Sequence, residues 1–185
     1  MANRPRANTV QLIGVDFDDV ESGLVTVDHA QHELNLGQVF FASYATPDGS
    51  PLADDAAVDL LIKTASKKAH LTFSGSSEGN AELQFYEGTT TSDDGTSVTP
   101  QHMDRTSNVP TSITTFHTPT VTAVGTLVYD RWIVAGDGGG ADGGRLRSNR
   151  EWILAPNTNY MVRVINRAGN NQHADASVSF YETDN

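Results

Sequence analysis

Tyr160-Met161-Val162-Arg163-Val164-Ile165-Asn166 is the stretch on which the fold turns. Side chains along an extended strand point alternately to its two faces, so Tyr160, Val162, Val164 and Asn166 share one side and Met161, Arg163 and Ile165 the other. One of these sides must meet a core. Runs of the same kind recur on either side of it: Gln38 to Ala45, His70 to Ser74, Ala81 to Tyr86, Thr120 to Tyr129, Arg150 to Leu154 and Ser177 to Glu182. Turn residues separate them at Pro47-Asp48-Gly49-Ser50, Gly79-Asn80, Asp94-Gly95, Pro156-Asn157-Thr158-Asn159 and Gly169-Asn170-Asn171.

Short apolar runs at regular spacing predict a sandwich or barrel. The expectation is an all-β, jelly-roll-like β-sandwich with little helix and an N-terminal extended arm, residues 1–22 forming the arm with its acidic segment and 23–185 a single domain. One window is ambiguous. Asp54 to Ser66 has Ala56, Ala57, Leu60 and Leu61 spaced for one helical face, yet Val58 to Thr64 reads equally as a strand. An internal echo, Leu83-Gln84-Phe85-Tyr86-Glu87 and Val178-Ser179-Phe180-Tyr181-Glu182, is either a trace of two related halves or a reuse of good strand residues.

Composition narrows the function. The chain has 185 residues, of which 37% are hydrophobic, and these are dispersed, so one globular core is expected and neither a membrane span nor a signal-peptide apolar region is found. The mature chain is expected to be the whole chain. With no cysteine there is no disulfide framework and no thiolate zinc site. A formal net charge of -11 disfavours nucleic acid, whose phosphates are bound by clustered Lys and Arg, and suits either solubility or docking to a basic surface. The exception is local: Arg4, Pro5 and Arg6 make the N-terminus basic, as a frayed end or as an arm that reaches a neighbouring subunit.

Catalytic patterns are absent. There is no Gly-x-Ser-x-Gly elbow, no P-loop and no His-Glu-x-x-His motif. The glycine run Gly136 to Gly144 contains a formal G-x-G-x-x-G, but Arg145-Leu146-Arg147 and another strand follow it where a dinucleotide site needs a helix. Asp16, Asp18, Asp19 and Glu21, and separately Asp93 with Asp94, lack the spacing of a calcium loop and read as solvated acidic segments. His29 and His32 would share a helical face suited to a metal, but the segment is not helix-periodic and on a strand they would diverge. His70 reads as a packed strand histidine, and His102, His117 and His173 as loop or edge residues. No residue is therefore assigned a catalytic, cofactor or metal role, and the chain is not expected to be an enzyme.

Several stretches, in order, carry a likeness to known proteins. They are His32-Glu33 through Gly37 to Phe40-Phe41, Lys68-Ala69-His70-Leu71-Thr72-Phe73, and Glu82-Leu83-Gln84-Phe85-Tyr86-Glu87-Gly88-Thr89. Gly95-Thr96-Ser97-Val98-Thr99-Pro100 with Arg105, and Glu151-Trp152-Ile153-Leu154-Ala155-Pro156-Asn157-Thr158-Asn159-Tyr160, continue the series. From His29 to Glu182 the chain resembles a family of small virion structural proteins of tailed bacteriophages. The resemblance implies a sandwich or jelly-roll subunit on the capsid exterior, a decoration (cement) protein bound to the major capsid protein and commonly a homotrimer. It transfers no catalytic residue. The acidic segment before Asp28 and the glycine run have no counterpart in it.

Arg4, Pro5 and Arg6 are the candidate capsid-contact arm on this reading. The alternative is a tail-fibre or receptor-binding module whose loops Thr89 to Thr111 and Gly136 to Arg147 read a host glycan or protein. A carbohydrate-active enzyme is a third possibility, and it requires spatially paired carboxylates that a sequence cannot reveal.

Overall fold

The computed structural model describes residues 15–16, 25–26, 29–135, 144–148 and 150–183. The elements run β1 (Val15–Asp16), β2 (Val25–Thr26), α1 (His29–Asn35), β3 (Phe40–Ala45), β4 (Ala57–Lys63), β5 (Lys68–Ser77), β6 (Ala81–Glu87), β7 (Thr90–Asp93) and β8 (Thr96–Val98). They continue with β9 (Gln101–His102), β10 (Thr114–His117), β11 (Thr120–Ala123), β12 (Thr126–Ile133), β13 (Gly144–Arg147), β14 (Trp152–Leu154), β15 (Asn159–Asn166) and β16 (Ala174–Thr183). The protein is all-β, and all the strand pairs among the described residues are antiparallel.

A six-stranded sheet has the order β12-β6-β15-β4-β10-β8, and the other large sheet the order β13-β5-β16-β3-β9, with β14 also pairing β5. From β3 to β6 the chain passes from one of these sheets to the other at each strand, and it does so again from β12 to β13 and from β15 to β16. The core lies between the two. Val58, Leu60, Ile62, Leu83, Phe85, Tyr160, Val162 and Val164 contribute from the six-stranded sheet, and Phe40, Ala42, Ala69, Leu71, Phe73, Ala176, Val178 and Phe180 from the other. The ring centroids of Phe73 and Phe85 are 4.7 Å apart across this interface, an arrangement worth about 0.5–1.5 kcal/mol beyond the area it buries. Gly75 marks how closely the layers approach: a Cβ there would lie 2.6 Å from Val164 Cγ2 and 3.0 Å from Leu83 Cδ1.

The expected alternation holds in β15, with Tyr160, Val162 and Val164 in the core and Asn166 buried at the strand's end. Asn166 is satisfied there, its Nδ2 donating to Leu52 O at 3.0 Å and Asn170 O at 2.7 Å. The ambiguous window is a strand, β4, because it lies between β15 and β10 and is buried on both faces, which makes its apolar run nearly continuous. The run Thr120 to Tyr129 is divided. The turn at Gly125, with φ +89°, brings the chain against Gly88 and Thr89, where a Cβ would be 2.8 and 2.9 Å from backbone atoms. On the far side β11 pairs with β7 as a separate two-stranded ribbon.

The reading of His29 and His32 as non-helical needs correction. They lie on α1, whose turn is held by the Gln31 Nε2 to Asn35 Oδ1 bond of 3.0 Å and the His29–Glu33 pair at 3.7 Å. Two short turns of helix were too brief for periodicity to register. The helix stops at Gly37, with φ +69°, whose carbonyl accepts from Ser107 Oγ at 2.8 Å and His102 Nδ1 at 3.1 Å. The two echoed motifs fall on different sheets, with Phe85 and Phe180 in the core.

Candidate docking surface

The outer face of the sheet that holds β5, β16 and β3 is built from small hydroxyl side chains. Cross-strand rows read Arg147-Ser74-Ser177-Ser43 and Thr72-Ser179-Phe41-Gln101, each residue opposite the next. Ser74 and Ser177 bond each other at 2.7 Å. Short side chains leave this face shallow, so its relief comes from what surrounds it. Met103, half exposed, and Leu34 of α1 lie on one side, and Arg147 and Glu151 on the other, of a groove of about 450 Å³ floored by Thr72 and Ser179.

At one end of that groove α1 is held to the sheet by stacked rings. Tyr181 lies 4.6 Å from His70 and 5.6 Å from His29, centroid to centroid. His70 Nδ1 is 3.1 Å from Tyr181 Oη and 3.2 Å from Glu151 Oε1. His29 and His70 thus serve in one packed cluster that joins helix to sheet, and His32 is not part of those contacts.

Around the rim, where β12 faces β13 and β14, the sandwich opens into a cleft of about 660 Å³. It is lined by Tyr129, Arg131, Leu146, Arg147, Ser148, Arg150, Glu151 and Trp152. Its floor is aromatic because Tyr129 and Trp152 are the outermost rings of the core cluster, set edge-on to each other at 88°. Trp152 Nε1 donates to Ser148 Oγ at 3.1 Å, and Ser148 N to Phe73 O at 2.8 Å, which ties the rim to the core. The guanidinium of Arg131 sits 5.6 Å from the Tyr129 ring. Arg131, Arg147 and Arg150 are exposed, and none of them makes an ion pair with a described acid. The three most exposed of the large apolar side chains, Trp132 at 57%, Val134 at 74% and Ile153 at 65%, lie on or next to the strands that border this cleft, Trp132 in register with Glu82 and Ile153 with His70, on the outer faces of opposite sheets.

Of the residues singled out from the sequence, Arg4, Pro5 and Arg6 lie outside the described residues, as do Asp18, Asp19, Glu21 and Gly136 to Gly143. Asp93 and Asp94 belong to a closed turn. Asp94 bonds Lys63 Nζ at 2.6 Å and Thr91 Oγ1 at 2.6 Å, and those bonds, Lys63 first, hold its carboxyl below the ordinary range. Asp93 accepts from Gly95 N at 2.8 Å. Among the described residues no group of three or more His, Asp or Glu is arranged around a metal position. His117 is buried enough to lower its pKa, with its ring stacked on Tyr44 at 3.8 Å. The cleft itself was missed in the sequence. Its signal was the placing of Arg131, Arg145, Arg147 and Arg150 within 20 residues of a chain that has only 12 Lys and Arg in all.

No family model, no curated protein and no solved structure matches this chain.

Proposed function

We propose that this protein is a structural subunit of a tailed-phage virion, a decoration protein that sits on the capsid exterior, binds the major capsid protein and assembles as a homotrimer. The observation that carries the reading is the rim: exposed Trp132, Val134 and Ile153 on or next to β12 and β14, the strands that border a cleft whose arginines pair with no described acid. Exposed apolar groups and charge along the edge strands suit association with another protein surface. A thin, rigid double sheet supports them. The passage of successive strands between the sheets supports a jelly roll in particular, with β3, β16, β5 and β13 in one layer and β4, β15, β6 and β12 in the other. The stretches that resemble the phage family fall on α1 and β3, β5, β6, β8, and β14 with the start of β15, so the likeness spans both layers.

The test is reconstitution. Heads from a phage lacking this protein are mixed with the purified chain, pelleted and imaged by electron microscopy. Density on the head lattice and a raised threshold for head rupture are expected; chain left in the supernatant, or bound only to tails, defeats the proposal. Deleting residues before Val10 tests the arm, and unchanged head binding removes Arg4, Pro5 and Arg6 from the contact.

A receptor-binding module on the tail is the second reading. It is favoured by the groove on the hydroxyl-rich face, to which Met103 and Arg147 contribute from the two loops expected to read a ligand. Binding of the chain to host cells, lost on glycan removal, would support it.

A further inference from the structure

The cleft is anomalous in its charge. Among the described residues that line it, Arg131, Arg147 and Arg150 face one acid, Glu151, a balance of +2 from three positive groups and one negative, on a chain whose formal net charge is -11. The other clustered cations behave differently. Arg163 is bidentate to Asp59 at 2.7 and 2.8 Å, Arg167 bonds Glu82 and Asp55, and Lys63 bonds Asp94. Guanidinium groups at a half-buried aromatic floor suit an occupant that alternates carboxylates with apolar side chains, because the planar fork pairs with carboxylates while the rings take apolar contact.

The chain carries such a stretch. Asp16-Phe17-Asp18-Asp19-Val20-Glu21 holds four carboxylates with Phe17 and Val20 between them. Its first residue belongs to β1, which pairs with β2 and joins neither of the large sheets. Seven residues, Ser22 to Asp28, lie between Glu21 and His29, at the start of α1. The β1–β2 pairing sets Asp16 beside Val25, four residues before His29, and an extended chain spans up to about 3.3–3.6 Å per residue, so this tether reaches roughly 13–14 Å from α1, a length suited to an abutting copy.

We propose that the arginine cleft of one copy receives the acidic stretch Asp16–Glu21 of a second copy. The cleft and the acidic stretch are different segments of the chain, so the contact joins unlike patches, and a closed ring of copies satisfies both in every copy. The inference is independent of the particle on which the protein acts, since it concerns association between copies of the chain alone.

The test measures the mass of the full chain in solution by sedimentation, across protein concentration and salt. Three variants accompany it: Arg147→Glu with Arg150→Glu, Asp18→Lys with Asp19→Lys, and the four changes combined. Association of the wild type that weakens with salt is expected, with each double variant monomeric and the combined charge swap recovering association. Arg147 and Arg150 are exposed, so near-ultraviolet circular dichroism and the melting temperature of that variant should match wild type. A synthetic peptide of residues 14–24 is then titrated against the chain with Asp18→Lys and Asp19→Lys, following tryptophan fluorescence. Binding weakened by roughly tenfold or more on adding Arg147→Glu and Arg150→Glu is expected. A wild type that stays monomeric at every concentration overturns the proposal. So does association that both double variants retain, or a peptide that binds equally with and without the arginines.

Discussion

The two outer faces of the sandwich are finished differently. On the sheet that holds β6, β15 and β4, Leu127, Tyr86, Met161, Leu61 and Phe116 form one cross-strand row, and Asp130, Gln84, Arg163 and Asp59 the next. Met161 and Leu61 are fully buried although they point away from the core. Lys63 lies 6.0 Å from the Phe116 ring and Arg163 6.0 Å from the Tyr86 ring, so long cationic side chains roof the apolar row and place their charges on neighbouring acids. The sheet that holds β5, β16 and β3 has serines and threonines in the corresponding rows, exposed Phe41 and Met103 beside them, and arginines at its edge that pair with no described acid. The face of β6, β15 and β4 satisfies its charges and covers the middle of its apolar row, while Leu127 and Trp132 remain exposed along β12 at its edge. The other face and its rim satisfy less of themselves, and contact with a partner is the physical remedy.

That contrast can be broken by substitution. Met161→Ala removes a fully buried side chain and is expected to cost about 2–5 kcal/mol in urea denaturation, as a core truncation would. A cost near zero would mean that the apolar row is not packed. Arg163→Met comes next, because it strands the Asp59 carboxylate, whose side chain is only 11% exposed; a loss of about 2–4 kcal/mol is expected, below the full buried-pair value because Arg163 is partly solvated. Ser177→Ala on the opposite face removes one hydrogen bond to Ser74 and should cost about 1 kcal/mol. Arg147→Met should change stability by no more than about 0.5 kcal/mol while weakening association. Equal costs for Arg163→Met and Arg147→Met would erase the distinction between the faces.

Acid sharpens it further, with a smaller effect. Burial lowers the pKa of His117, so between that value and the unfolded value of 6.5 the unfolded chain binds more protons. Stability from this group is fully present above pH 6.5 and is lost as pH falls toward the folded pKa. The melting temperature should therefore decline on acidification just below neutrality, and His117→Gln should flatten that part of the profile. Asp94, also lowered, acts in a separate window. Its stabilisation is present above the unfolded value of 3.8 and is lost only as pH falls below that toward the folded pKa.

Much of the architecture was legible because strand alternation is a local property. Val162 and Val164 could be assigned to a common face from their spacing alone, and Pro156-Asn157 and Gly169-Asn170 to turns from backbone preference. The seven residues of α1 were not legible, since a helix that short owes its existence to the contacts at its ends: Ser107 and His102 on the Gly37 carbonyl, and Tyr181 against His29.

By itself the sequence determined that the chain is built from half-buried strands, because a period of two is written residue by residue and needs no partner to be read. Which strands pair, which charges are neutralised and which arginines are left at the rim was decided only by the tertiary structure. Arg163 meets Asp59 across 104 positions of chain, and Arg131 shares a cleft with Arg150 because β12 and the segment leading into β14 edge opposite layers. Electrostatic and packing energies depend on distance in space, and distance in space is set by the closing of the two sheets.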